Sequence, residues 1–167
     1  MGTEAWLEGP LEGVDPYLMP IAQALVQVGR DLEGLAGLAP DTLWERPGGA
    51  ASVGFHLRHV AGVLDRLLTY ARGEALGEEQ MKALRAEGEP GDPPAGAETL
   101  LREARAAVER ALAQVRATPR EALLEPRGVG RRQLPSNVLG LLHHAAEHAV
   151  RHTGQALTTA RIAGPAA

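Results

Sequence analysis

No cysteine occurs in the 167 residues. Disulfides, thiolate metal ligands and a cysteine nucleophile are therefore excluded, and any sulfur chemistry has to use a thiol brought from outside. Aromatic residues make up only 3% of the chain. The core has to be assembled from Leu, Ala and Val, which favours helices over a sheet built on aromatic and β-branched side chains. The chain also lacks an excess of positive charge, with 17 Lys and Arg against 21 Asp and Glu and a net charge of −4. That balance offers no general attraction to phosphate, and no nucleic-acid partner is expected. Met1-Gly2-Thr3-Glu4-Ala5-Trp6 has neither the basic flank nor the apolar run of a leader, and no later stretch approaches membrane-spanning length. A soluble, cytoplasmic protein without a membrane partner is the expectation.

What remains is a chain 44% hydrophobic and of a length suited to one compact domain spanning residues 1–167. Asp15-Pro16 makes a helix start, and Leu18, Ile21, Leu25, Val28, Leu32 and Leu35 recur at helical spacing, so a first helix is expected near 15–38. Ser52 is a plausible N-cap for a second, near 51–73. Glu78 to Leu84 can form a short helix inside a crossover rich in turn formers. A third long helix is expected near 96–117 from the stripe Leu100, Leu101, Ala104, Ala107, Val108, Ala111, Leu112 and Val115. Residues 125–134, with Gly128 and Gly130, read as a loop. Pro135-Ser136 then opens a last helix that runs to about Ile162 and ends at Gly164-Pro165. The fold class is all-α, a four-helix bundle with a longer crossover between the second and third helices.

All six histidines fall in two of these segments: His56 and His59 in one, and His143, His144, His148 and His152 in the other. Residues four apart on a helix lie about 6 Å apart along its axis on nearly one face, which lets two imidazoles grip one divalent ion. On a wheel turning about 100° per residue, His148 and His152 sit at the edge of the apolar face marked by Leu141, Ala145 and Ala156, while His144 turns towards Glu147 and Arg151. His148 and His152 are thus the preferred pair. The second helix is less decisive, because His56 and His59 both border its apolar stripe and periodicity does not choose between them. Glu147 falls far from His152 around the helix, and Asp65 is displaced from His59; both read as solvated. Arg127, Arg131 and Arg132 read as charged loop residues.

Gly54-Phe55-His56-Leu57-Arg58-His59-Val60 together with His144-x-x-x-His148-x-x-x-His152-x-Gly154-Gln155 resembles the DinB-like family of metal-binding four-helix-bundle proteins. The likeness extends through helix order and spacing over most of the chain, including the segment from Trp44 into the second helix. It implies a three-histidine metal site of His59, His148 and His152, with His59 preferred to His56. Gln155 and His144 are candidates for orienting a ligand or bound water. Arg151 stands where some relatives carry histidine. A neutral imidazole set suits a divalent transition metal, with zinc the first choice and nickel the next.

The family is similar in fold to metal-dependent transferases and isomerases that use bacillithiol or mycothiol. The implied activity is transfer of a small-molecule thiol to an electrophile such as an epoxide or halogenated compound. Water at the same open coordination position would instead make the chain a metal-dependent hydrolase. A closed site would make it a non-catalytic metal-binding or stress-response protein. Symmetric pairing through outer helix faces would give a homodimer.

Overall fold

In a computed structural model, which describes residues 2–164, the chain folds as an all-α bundle with one small hairpin. Four long helices form the bundle: α1 (Met19–Asp31), α3 (Val53–Ala71), α5 (Ala97–Ala117) and α6 (Val138–Ala163). Two shorter ones, α2 (Pro40–Trp44) and α4 (Glu78–Ala86), lie in the connections. Helix α3 packs on α6 and α5, and α1 closes the ring by packing on the same two helices. The helices therefore run α1, α6, α3, α5 around the core, and the most extensive contact joins α3 to α6. No described helix is long and apolar enough to cross a membrane.

The expected apolar stripes meet in one core. Leu25 and Val28 of α1, Leu57, Val60 and Leu64 of α3, Leu100 and Ala104 of α5, and Leu142 and Ala149 of α6 are all buried. The α6 contribution is rich in alanine, with Ala145, Ala146, Ala149 and Ala156 buried.

The helix boundaries follow local chemistry. Helix α3 starts where expected, because the Ser52 hydroxyl accepts from the Phe55 amide at 3.1 Å. The short crossover helix also forms and extends to Ala86. The first helix is shorter than its periodicity suggests. The Asp15 carboxylate accepts from the Tyr17 amide, residues 16–18 form a turn, and the α-helix begins at Met19 with Pro20 in its first turn. At its other end the chain tightens into a 3-10 turn over Leu32–Leu35, and Gly37, at φ +73°, takes the backbone out of the helix.

The segment expected to be a loop is a β-hairpin. Strand β1 (Pro126–Val129) pairs antiparallel with β2 (Leu134–Asn137), Val129 opposite Leu134, with Gly130 at φ +67° in the connection. Pro135 and Ser136 belong to β2 and do not open α6. Asn137 is the cap: it holds extended backbone and its Oδ1 accepts from the Gly140 amide at 2.7 Å. Gly164 caps the far end, while Pro165, expected to end that helix, lies outside the described residues.

A second set of contacts secures the approach to α3. The Trp44 ring lies against Gly54 so closely that a Cβ there would be 2.6 Å from the indole. Its Nε1 donates to the Ala95 carbonyl at 2.9 Å, and the Arg58 guanidinium lies 5.0 Å from the ring centroid. One tryptophan thereby fastens α2 and the end of the crossover to the first turn of α3.

Candidate metal centre

Helices α3 and α6 pair antiparallel, so His59 faces His148 while His56, one turn earlier, faces His152 one turn later. Nε2 of His59 lies 2.9 Å from Nε2 of His148, and Nδ1 of His56 lies 3.0 Å from Nδ1 of His152. The ring centroids of His59 and His152 are 4.3 Å apart, and those of His148 and His152 are 4.7 Å apart. His59, His148 and His152 each offer one nitrogen such that all three atoms lie within 4.8 Å of one another. That convergence on two helices is a donor set able to hold a metal ion.

The other histidines divide cleanly. His56 is 5% exposed and touches the set through Nδ1 of His152. His143 and His144 are exposed on α6. His144 lies 3.4 Å from Glu147, and these two with His148 make a second cluster of closely spaced donor atoms on the exposed face. Arg151 is bonded to both Glu147 and His148 there, placing a fixed positive charge where a cation would have to sit. Glu147 is a surface residue, Gln155 is exposed, and Asp65 accepts from Gln80. Arg127 is structural, donating to the Ala71 carbonyl at the end of α3 and to Glu125 beside it.

Two buried partners of the site, Glu87 and Arg66, are not foreshadowed by any sequence motif. Glu87, 5% exposed, has Oε2 at 2.7 Å from Nδ1 of His59 and Oε1 at 2.6 Å from Nη1 of Arg66, itself buried. Neither carries a local signal, since Glu87 ends a short polar helix and Arg66 interrupts the α3 stripe. Only the fold brings them to His59. Phe55 stacks on His59 with ring centroids 5.3 Å apart and an interplanar angle of 14°.

Hydrogen-bond roles follow from what each group can do. A guanidinium only donates, so Nη2 of Arg151, 2.9 Å from Nδ1 of His148, makes that nitrogen an acceptor. Neutral His148 then carries its hydrogen on Nε2 and donates it to Nε2 of His59. His59 in turn donates from Nδ1 to Glu87, and one direction of donation runs through the chain from Arg151 to Glu87.

The electrostatics disfavour the charged form of His56, His148 and His152. Burial, reinforced by repulsion from His59, pushes His56 down to about 4. Burial and then the Arg151 charge push His148 down to about 4, and burial followed by the neighbouring histidines does the same to His152. Glu87 behaves oppositely: burial alone would raise it, but hydrogen bonds from His59 and Arg66 prevail and hold its carboxyl below the usual range. Around neutral pH His148 and His152 thus offer uncharged nitrogen donors, and one buried carboxylate stands behind His59.

The donor set fits a transition metal in kind, and in spacing with a small adjustment. Two nitrogens bound to one tetrahedral ion at about 2.0–2.1 Å lie roughly 3.3 Å apart. His59 and His148, at 2.9 Å, sit at hydrogen-bond distance and need to part by only a few tenths of an ångström. Helical bundles that carry such a set on facing helices form a class in which the fold supplies rigid donors and the site supplies the chemistry. The signature of the DinB superfamily matches residues 24–156, and the chain belongs to that superfamily. No curated protein matches it in sequence.

Proposed function

We propose that the protein is a metal-dependent transferase that joins a small-molecule thiol to an electrophilic compound, with His59, His148 and His152 as the metal ligands. The observation that carries this reading is the convergence of three imidazole nitrogens at a place that remains partly exposed. His59, His148 and His152 are each half-buried, and the His59 side chain retains 17% of its exposure. Three protein ligands at an accessible position suit a site that also admits substrate, whereas a structural ion is normally enclosed by four.

A bound divalent ion, zinc first and nickel next, would supply Lewis acidity that lowers the pKa of a thiol at the fourth position. The chain's own part is to hold the donors. Glu87 and Phe55 fix the His59 ring from two sides, and His56 holds His152 through its Nδ1. In the overall reaction the thiol loses its proton to solvent and its sulfur forms a bond to carbon. The carbon–halogen bond of a halogenated compound breaks to release halide, or the carbon–oxygen bond of an epoxide breaks and its oxygen takes up a proton. Since the chain has no cysteine, the sulfur has to come from the added thiol.

The deciding experiment incubates zinc- or nickel-reconstituted protein with a panel of thiols and electrophiles, including arms without thiol. Thioether formation that needs metal, protein and thiol together is expected. Turnover of the electrophile without thiol would instead establish the hydrolase reading.

A further inference from the structure

Helix α4 has no buried residue of its own, yet it is seated firmly on α3. Its attachments are polar. Gln80 donates to Asp65 at 2.7 Å and to Thr69 at 2.9 Å, near the end of α3. Arg58, near its start, donates to the carbonyls of Ala86 and Pro90 at 3.1 and 3.2 Å and also to that of Glu89. Between these tethers lies Glu87, whose bond to Arg66 is buried on both sides and whose other oxygen bonds the half-buried His59.

If Glu87 served only to tie the crossover down, Arg66 would balance its charge and any donor could satisfy the second oxygen, since a buried ion pair also needs its remaining lone pairs hydrogen-bonded. The carboxylate instead spends its second oxygen on His59, and the fold makes room for it. Gly62 lies one turn before Arg66, and a Cβ at that position would lie 2.5 Å from Oε1 of Glu87 and 2.6 Å from Nη1 of Arg66. The absent side chain is the space the pair occupies. A carboxylate accepting from one nitrogen of an imidazole fixes the ring's tautomer and orientation and raises the basicity of the other nitrogen. Here the other nitrogen is Nε2 of His59, which faces His148.

We propose that Glu87, clamped by Arg66 in the space left by Gly62, is a positioning residue that presents Nε2 of His59 to the metal, so that seating of α4 and metal binding favour each other. The inference rests on the three-histidine metal reading above. Its second half follows by reciprocity: if seated Glu87 raises metal affinity by some factor, bound metal raises the preference for the seated state by the same factor.

The test uses the full chain and cobalt(II), followed by its visible absorption bands in competition with a chelator of known affinity. Glu87→Gln is expected to weaken cobalt binding by about 10- to 100-fold and to shift the bands, as loss of a carboxylate behind a ligating histidine does. A purely structural role would lower the stability of the chelated protein while leaving the affinity of its folded fraction and the bands unchanged, and that result would overturn the proposal. In case the variant folds poorly, hydrogen exchange on the wild type gives an independent answer. Saturating cobalt should slow exchange in peptides covering residues 78–90, and unchanged exchange with cobalt bound would refute the coupling. Failure of the wild type to bind cobalt at all overturns the metal reading and this inference with it, whereas binding that is indifferent to Glu87→Gln overturns the inference alone.

Discussion

Arg151 donates from Nη2 to Nδ1 of His148 at 2.9 Å, and this hydrogen bond competes with metal ligation by the same ring. If His148 ligates through Nδ1, the guanidinium occupies the lone pair. If it ligates through Nε2, the hydrogen now on that atom has to move to Nδ1, where a donor cannot tolerate it. In either case Arg151 has to release His148, and Glu147, 3.2 Å away, is the partner left to it. Arg151→Ala should therefore strengthen zinc binding. A net hydrogen bond is worth about 1 kcal/mol, so the gain should be roughly fivefold in a chelator-competition titration. Unchanged or weaker binding would show that Arg151 does not oppose the ion. Nitrogen NMR of the chelated protein should find His148 protonated on Nε2.

Removal of a ligand should act far more strongly than removal of a surface histidine on the same helix. His148→Ala and His152→Ala each delete one of three converging donors, whereas His143 is exposed and outside the set. Isothermal titration with zinc should show stoichiometric binding lost or weakened by at least about 100-fold in the first two variants, taking each lost donor as worth more than the 10- to 100-fold of an outer partner. His143→Ala should match the wild type. Equal losses in all three would mean that the metal binds elsewhere on α6.

The contrast between His143 and His148 is legible in the amino-acid sequence alone. Helical periodicity sorts the histidines of α6 by face, and the wheel's choice of His148 and His152 coincides with the pair that the fold turns towards α3. Periodicity does not separate His56 from His59, because both border the apolar stripe. Antiparallel pairing sets His56 against His152 and His59 against His148, and of the two it is His59 whose nitrogen falls in the three-histidine group, a long-range relation that no local pattern carries. The hairpin is hidden for a different reason: Pro-Arg-Gly-Val and Leu-Pro-Ser-Asn have no alternation of apolar and polar residues, and their pairing depends on a turn at Gly130. The preference for His59 over His56 comes from the family resemblance and not from periodicity, whereas Glu87 is invisible to both, since its meaning comes from a partner 28 residues away.

Gly54 opens the histidine-bearing motif of α3, and its role is steric. Gly54→Ala would place a methyl group 2.6 Å from the Trp44 ring, which is itself held by Ala95 and Arg58. Overpacking of this kind costs about 1–3 kcal/mol, and urea denaturation of the chelated protein should show a loss of that size with an unchanged m-value. Pairing the change with Trp44→Leu, which frees space above residue 54, should recover part of it. Equal stability of Gly54→Ala and the wild type would mean that the indole yields without cost.

Acid should weaken the chelated protein well before its carboxylates titrate. His56, His148 and His152 hold folded values of about 4 against 6.5 when unperturbed. Above pH 6.5 these imidazoles are neutral in both states and stability does not depend on them. As the pH falls below 6.5 the unfolded chain takes up protons that the folded chain refuses, so stability declines until the folded sites themselves protonate near 4. Glu87, held low by its hydrogen bonds, adds losses only below its unperturbed value of 4.5. Denaturation midpoints measured with chelator present should thus drop between about pH 6.5 and 4.5, and the drop should shrink when His56 is replaced by Leu, because one of the three linked protons is then removed. A midpoint that stays level across that interval would mean that the imidazoles protonate in the folded protein as readily as in the unfolded chain, and the neutral donor set argued for this site would not exist.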